Sequence, residues 1–376
     1  MSQSYTSLEL TKKLLAFNTI NPPGNERDCA HFIGDLLKSG GFEVDYYEFD
    51  EQRTSLVAVK EFSSDRAPVC FSGHIDTVPL GLSEWRVDPF SGEQNGDRIY
   101  GRGSADMKGG LAAMIIAALR IAKMSGGESG ILMVITAGEE NGCEGSEFLA
   151  GLGPALGRAG GLIIGEPTAN YPILGHKGAF WLEAVTTGVT AHGAMPEQGD
   201  NAIYKAARAI TRLEKFDFNV APHPVLGSPT LNVGTISGGI NFNSVPDRAT
   251  FGIDIRTIPV QKIDQIHQDL QDFLGEEVEL NTLTAAPAIS THPENDWVKE
   301  IFSLTEAYVG ERPVPRGVSY FTDASALTPA LGNPPTIILG PGEPDLAHKT
   351  DEYCHVSKID SAAEIFFKIA KGWCRL

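Results

Sequence analysis

The chain has 376 residues, of which 42% are hydrophobic and 21% charged, so it is long enough for two domains and has an ordinary globular composition. Its net charge of −18 at pH 7 argues against nucleic acid as a partner, because a basic surface is needed to neutralise phosphates. The five cysteines lack regular spacing, no secretory leader opens the chain and no apolar run is long enough to cross a bilayer, so we expect reduced thiols, a cytoplasmic location and no membrane partner.

The first 170 residues alternate between helical and strand patterns. Helices are predicted in SLELTKKLLAFNTI, DCAHFIGDLLKSGGF and GGLAAMIIAALRIAKMSGG, and buried strands in APVCFSGHID, GILMVITAGEE and GLIIGEPT. This alternation predicts an α/β fold with a mostly parallel sheet. Ligands of such sheets bind beyond the carboxyl ends of the strands, and four polar residues stand at such ends. They are His74, Glu139, Glu140 and Glu166.

The pattern changes after residue 175. Strands are predicted in FWLEAVTTG, SPTLNVGTISGG, RATFGIDIRT and VELNTLTAA, and amphipathic helices in DNAIYKAARAITRLEKF and QKIDQIHQDLQDFLG. The order β-α-β-β-α-β predicts a ferredoxin-like α+β domain inserted into the first domain. We therefore predict a first domain made of residues 1–175 and 287–376 and an inserted domain of residues 176–286. The segment GHKG, with His176 and Lys177, enters the insert and is alternatively only a hinge.

Two segments of the first domain carry candidate metal ligands. In CFSGHIDTVP, His74 is followed by Asp76, and a carboxylate or carbonyl near the second ring nitrogen is typical of a histidine that binds a metal. The alternative is a pair of ordinary turn hydrogen bonds. In YGRGSADMKGG, Asp106 precedes an apolar helix, but the spacing does not match a phosphate-binding loop. Asp106 is therefore either a helix cap or a ligand whose two oxygens bridge two ions.

The adjacent carboxylates Glu139 and Glu140 need a partner of opposite charge, since neighbouring like charges raise each other's pKa. Adjacent side chains on an extended backbone point to opposite sides. One of the two carboxylates can then bind a metal while the other acts as general base on the attacking water. Bound divalent cations also offset the charge of the pair.

Two imidazoles and three carboxylates form the complete candidate ligand set. Nitrogen and oxygen ligands of this kind suit zinc, with cobalt or manganese as substitutes. With one bridging aspartate the set predicts two metal ions a few ångströms apart, with room for a water between them. The five residues are His74, Asp106, Glu140, Glu166 and His348, the last from GPGEPDLAHKTDEY.

Six segments resemble, in order and approximate spacing, those of the M20 family of metallopeptidases and deacylases, in particular its acetylornithine deacetylase and succinyl-diaminopimelate desuccinylase branch. They are GHIDTVP, YGRGSADMKGG, TAGEENGCEGS, IIGEPT, SVPDRATFGIDIR and GPGEPDLAHKTDEY. The resemblance implies a zinc-dependent exopeptidase-like catalytic domain and an inserted lid that forms a homodimer. It implies one zinc on His74, Asp106 and Glu166 and a second on Asp106, Glu140 and His348. Glu139 would be the general base and Asp76 a further catalytic residue.

The resemblance also implies roles for residues outside the ligand set. His192, in TAHGAMPEQGDNAI, would reach the partner subunit's site and stabilise the tetrahedral oxyanion, although the residue alone indicates only a solvated loop histidine. Asn243 and Arg256 would bind the carbonyl or carboxylate of the substrate, and the alternative for Arg256 is a surface ion pair. Asp323, in SYFTDASAL, stands in a substrate-facing loop that usually contains a glutamate in this branch, which leaves the substrate's identity open.

Together these features predict a dinuclear zinc amidohydrolase that removes an N-acyl group from an amino acid or related small amine. A carboxypeptidase or dipeptidase of the same family is the alternative, since such enzymes share the metal site. The pocket around Arg256 and Asp323 would separate the two. A non-catalytic binding protein of the same fold is the remaining alternative, and the presence of Glu139 and every ligand argues against it.

Overall fold

The computed structural model describes residues 5–63 and 66–376. Residues 1–4, at the start of the predicted first domain, and residues 64–65 lie outside this range. The described residues form two compact units. Unit 1 falls within Met1–Gly175, Ser290–Arg316 and Thr322–Leu376, and unit 2 consists of His176–Ile289 and Gly317–Phe321.

The strands of the described residues are numbered in chain order. They are β1 (Glu43–Asp50), β2 (Arg53–Lys60), β3 (Val69–His74), β4 (Gln94–Asn95), β5 (Arg98–Tyr100), β6 (Ile131–Thr136), β7 (Gly161–Ile164), β8 (Gly175–His176), β9 (Gly178–Thr187), β10 (Thr230–Gly238), β11 (Arg248–Thr257), β12 (Val278–Ala286), β13 (Ile289–Ser290), β14 (Thr336–Ile338) and β15 (Tyr353–His355).

The α-helices are numbered in the same way. They are α1 (Ser7–Leu15), α2 (Arg27–Ser39), α3 (Gly109–Ala122), α4 (Glu144–Gly151), α5 (Ala202–Leu213), α6 (Ile263–Leu274), α7 (Asp296–Val309), α8 (Ala324–Ala330) and α9 (Val356–Cys374). No helix of the described residues combines the length and the apolar character needed to span a bilayer.

Unit 1 is built on a six-stranded sheet in the order β1-β2-β6-β3-β7-β14. Strands β6, β3, β7 and β14 are parallel, and only β2 runs against its two neighbours. The predicted α/β fold with a mostly parallel sheet is therefore confirmed. Strands β3 and β6 are buried at every residue, which explains why the sequence shows continuous apolar runs there.

The register of the parallel strands brings their carboxyl ends together. His74 at the end of β3 pairs with Thr136 at the end of β6, and Ser72 pairs with Ile164 at the end of β7. The loops that carry Asp76, Glu139, Glu140 and Glu166 therefore leave the sheet at the same edge, where ligands of open α/β sheets bind.

Unit 2 contains an antiparallel sheet in the order β10-β11-β9-β12, with helices α5 and α6. Alternate residues of β9 and β11, such as Phe180 and Phe251, form one buried cluster with Ala206 of α5 and Leu270 of α6. Because both helices contribute to this cluster, they cover one face of the sheet. The β-α-β-β-α-β order and the pairing confirm the predicted ferredoxin-like arrangement.

Candidate metal centre

Asp76 connects the loops that follow β3 and β6. Its two carboxylate oxygens accept hydrogen bonds from the backbone N–H groups of Glu139 and Glu140, each at 3.1 Å. The carboxylate also accepts a 2.9 Å bond from the side-chain amide of Asn21. The Nδ1 atom of His74 lies 3.0 Å from the backbone oxygen of Asp76 and 3.4 Å from its carboxylate. This one buried residue therefore orients an imidazole and the carboxylate pair together.

The first cluster of possible metal ligands consists of His74, Asp106 and Glu166. One ligand atom from each lies within 4.8 Å of the other two. The Nε2 atom of His74 is 3.1 Å from Oδ1 of Asp106 and 3.6 Å from Oε1 of Glu166. Since Nδ1 faces Asp76, Nε2 is the ring nitrogen that points toward the other two residues.

The second cluster shares Asp106 and adds Glu140 and His348, again with ligand atoms within 4.8 Å of one another. The Nε2 atom of His348 lies 3.0 Å from Oε2 of Glu140 and 3.4 Å from Oδ2 of Asp106. The two oxygens of Asp106 therefore face different histidines. The side chain does not cap α3, whose N-cap is Lys108, so the capping alternative is excluded.

The clusters carry more negative charge than their surroundings balance. Burial and the charge of Asp106 raise the pKa of Glu140 to about 7, and the same causes raise the pKa of Glu166 well above its ordinary value. Hydrogen bonds to Asp106 and Glu140 raise the pKa of His348 to about 10. Burial favours neutral His74, but the charge of Glu166 and the hydrogen bonds with Asp106 and Asp76 hold its pKa well above the ordinary value. Imidazole nitrogens and carboxylate oxygens at this spacing suit divalent cations, which would balance the charge.

Glu139 belongs to neither of these clusters and is buried among other side chains. Its carboxylate is grouped with Cys143 and Asp323, and Oε1 accepts a weak hydrogen bond from the Cys143 thiol at 3.8 Å. Burial, with the charges of Asp323 and Glu140, raises the pKa of Glu139 well above its ordinary value. A carboxylate with such a pKa, close to candidate metal ligands, is suited to proton transfer.

Asp323 is 1% exposed and accepts a 2.5 Å hydrogen bond from the hydroxyl of Thr136, at the end of β6. The structure therefore brings this predicted substrate-binding residue next to Glu139 and not to an open surface. Its role toward a substrate stays a prediction.

Unit 2 brings His192 and Asn243 together. The two loops pair through His192 and Ser244, and the backbone N–H of Gly193 donates to the carbonyl of Asn243 at 2.7 Å. Both His192 and Asn243 are exposed. The Nδ1 atom of His192 accepts a 3.1 Å bond from the N–H of Ala194, which leaves Nε2 as the nitrogen available to donate.

Arg256, also in unit 2, lies 3.0 Å from a carboxylate oxygen of Asp254 on the same strand. The alternative expected from the sequence, an ion pair, is therefore present. The guanidinium lies about 6 Å from the ring centres of Trp181 and Phe321. The Asp254 carboxylate accepts a 2.9 Å bond from the indole N–H of Trp181, so the arginine is held in a defined cluster.

Three contacts of the site were not predicted from the sequence. Asn21 holds Asp76, Cys143 contacts Glu139, and Glu352 accepts the backbone N–H of Asp106 at 3.1 Å. The sequence gives no signal for Asn21, which is far from Asp76 along the chain. Glu352 stands four residues after His348 in the last motif, and this proximity is the one signal that could have drawn attention to it.

Known proteins resemble this chain both in sequence and in fold. A probable succinyl-diaminopimelate desuccinylase of Staphylococcus aureus (strain MRSA252) is 30% identical, with 92% of each chain covered. An acetylornithine deacetylase of Proteus mirabilis is 29% identical, with 98% of this chain and 97% of that protein covered. A crystal structure of an M20 family metallo-carboxypeptidase from Sulfolobus solfataricus covers 99% of this chain and 100% of its own, with a TM-score of 0.81 and 19% identity, which shows a shared fold.

The fold, the clusters and these relatives define a metal-dependent hydrolase of amide bonds. The model of Peptidase family M20/M25/M40 matches residues 70–372, and the chain belongs to that family. The resemblance noted from the six sequence segments is thereby confirmed.

Proposed function

We propose that the protein is a dinuclear zinc amidohydrolase that removes an N-acyl group, such as acetyl or succinyl, from an amino acid or related small amine. The observation that carries the proposal is the pair of ligand clusters sharing Asp106, whose two oxygens face His74 and His348. The names of the two relatives, a desuccinylase and a deacetylase, support the reaction class.

In this proposal His74, Asp106 and Glu166 hold one zinc ion and Asp106, Glu140 and His348 the other. Each set offers imidazole nitrogen and carboxylate oxygen, which zinc accepts. Cobalt and manganese are possible substitutes. When bound, the ions would supply Lewis acidity toward the amide carbonyl and lower the pKa of the attacking water.

The residues of the chain perform the proton transfers. Glu139 removes the proton of the attacking water and delivers it to the leaving amine, a role supported by its raised pKa and its place beside the ligands. Asp76 fixes the backbone of Glu139 and Glu140 by accepting hydrogen bonds from their N–H groups. Asp323, which is buried and grouped with Glu139 and Cys143, would be a substrate-binding residue.

We also propose that residues 176–286 act as a lid and a homodimerisation domain, with His192 completing the partner's site. His192 would donate to the oxyanion, and Asn243 and Arg256 would bind the carbonyl or carboxylate of the substrate. The exposure of His192 and Asn243 supports a role in trans. Mixing inactive His192→Ala and Glu139→Gln proteins should restore activity through heterodimers, and a mixture that stays inactive after subunit exchange would refute the trans role.

The cysteines Cys29, Cys70, Cys143, Cys354 and Cys374 all lie in the described part of the chain as buried free thiols, which supports a reducing, cytoplasmic location for this proposed enzyme. Its partners would be its small-molecule substrate and a second copy of the chain.

The proposed reaction is tested by a panel of N-acetyl and N-succinyl amino acids and dipeptides, assayed before and after chelation. We expect hydrolysis of N-acyl amino acids that is lost on chelation and restored by zinc. Hydrolysis of dipeptides alone would show that the protein is instead a carboxypeptidase or dipeptidase. A metal-loaded protein that hydrolyses none of them would favour a binding protein of the same fold.

A further inference from the structure

The loops that carry Asp106 and His348 have little regular structure to hold them. Asp106 lies between β5 and α3 and has non-helical backbone angles, while His348 lies between β14 and β15 with a positive φ of 63°. The His348 side chain is 53% exposed. Asp76 orients His74 and the Glu139–Glu140 pair. The loops of Asp106 and His348 are held by other residues.

Glu352 binds the Asp106 loop with both carboxylate oxygens. Oε1 accepts the backbone N–H groups of Ala105 at 2.7 Å and Asp106 at 3.1 Å. Oε2 accepts the N–H of Gly103 at 3.0 Å. Glu352 is 1% exposed, and buried hydrogen bonds to a charged acceptor are strong and directional.

Arg102 joins Glu352 to the His348 loop. It is also 1% exposed, and its Nη1 atom donates to Oε2 of Glu352 at 2.7 Å and to the carbonyl of Lys349 at 3.2 Å. Its Nη2 atom donates to the carbonyl of Pro79, in the loop after Asp76, at 3.0 Å. The planar fork of a guanidinium can hold three such elements at fixed angles, whereas a lysine ammonium cannot.

We propose that the buried pair Arg102–Glu352 positions Asp106 and His348 for the metal ion that these residues would hold with Glu140. This inference rests on the proposed dinuclear site. Glu352 fixes the backbone of Asp106. Arg102 connects Glu352 to Lys349, the residue that follows His348. The pair therefore acts on the second cluster as Asp76 acts on His74, and Arg102 and Glu352 are positioning residues that act through the candidate ligands.

The test is the metal affinity of Glu352→Gln. Glutamine keeps the volume but offers one acceptor oxygen in place of two, so it cannot satisfy all three backbone N–H groups and Arg102. Loss of a residue that orients metal ligands typically weakens metal binding about 10- to 100-fold. Metal-free protein would be titrated with Co²⁺, following visible absorption, and with Zn²⁺ by calorimetry. Because Asp106 belongs to both clusters and His348 only to the second, we expect binding at the second site to weaken by that factor, binding at the first site to weaken less, and the Co²⁺ spectrum to change.

Glu26→Gln is the matched control, because Glu26 is also fully buried and its carboxylate pairs with Arg53 at 2.9 Å. It should lower thermal stability while leaving metal affinity unchanged. Equal metal affinity in wild type and Glu352→Gln would overturn the positioning role.

If Glu352→Gln fails to fold, Arg102→Lys carries the test. Lysine keeps the positive charge but loses the fork, so a folded variant with weakened metal binding supports the proposal and one with wild-type binding overturns it. A wild-type protein that binds no metal would instead refute the proposed function, and this inference with it.

Discussion

Asp106 is the residue on which the site depends most, because its two oxygens face different histidines. The sequence predicted Asp106 as a candidate ligand from its place before an apolar helix, and the other candidates from their places after apolar runs and from the family motifs. It could not predict that the Asp76 carboxylate accepts the backbone N–H groups of Glu139 and Glu140, since such bonds depend on how two loops meet. The contact between the Cys143 thiol and Glu139 could not be predicted for the same reason.

Glu139→Gln is predicted to abolish most activity without loss of metal. Glutamine cannot accept the water's proton, and loss of a general base costs about 10²- to 10⁴-fold in rate. Because Glu139 lies in neither ligand cluster, kcat should fall while the metal content stays at the wild-type value. Steady-state kinetics and elemental analysis of the same sample check both parts.

Glu147→Gln, an exposed change on α4, serves as the control and should keep wild-type kcat. A Glu139→Gln enzyme with near wild-type kcat would show that another group moves the proton.

Among the elements, the sequence predicted those with strong periodicity and missed the edge strand β1 and its neighbour β2. The fully buried β3 and β6 and the apolar α3 were predicted from continuous or helical apolar patterns. Strands β1 and β2 were not predicted. The β1 sequence EVDYYEFD contains four acidic residues and is only partly buried, so it lacks the apolar signal of an inner strand.

Close approach between loops explains one glycine of the last family motif. A Cβ atom on Gly342 would lie 2.2 Å from the carbonyl oxygen of Ala105, which immediately precedes Asp106. Gly342→Ala should therefore displace the Asp106 loop and lower the free energy of unfolding by about 1–3 kcal/mol, as overpacking does. Thermal or denaturant unfolding measures the change.

Gly372→Ala provides the contrast, since Gly372 lies in α9 and a Cβ there meets nothing within 4 Å. This change should raise the free energy of unfolding by about 0.5–1 kcal/mol. A Gly342→Ala protein as stable as wild type would mean that the two loops have room to separate.

For the whole molecule, the order of strands and helices was sufficient to predict an α/β domain with a ferredoxin-like insert. The observed pairing β10-β11-β9-β12 belongs to the ferredoxin-like arrangement that this order predicts. The sequence contains no signal that Gly317–Phe321 belongs to unit 2. Such membership depends on contacts between residues distant in sequence, including Phe321 with Trp181, which no local pattern encodes.

The proposed shared-aspartate centre is tested by the metal content of purified wild-type protein and of Asp106→Asn, measured by elemental analysis after zinc loading and removal of free metal. We expect roughly two zinc equivalents per wild-type chain, one for each proposed ligand cluster. Asp106→Asn should lose metal from both positions, because Asp106 belongs to both clusters. A wild-type chain that holds at most one equivalent, or an Asp106→Asn variant that retains two, would contradict the shared-aspartate centre.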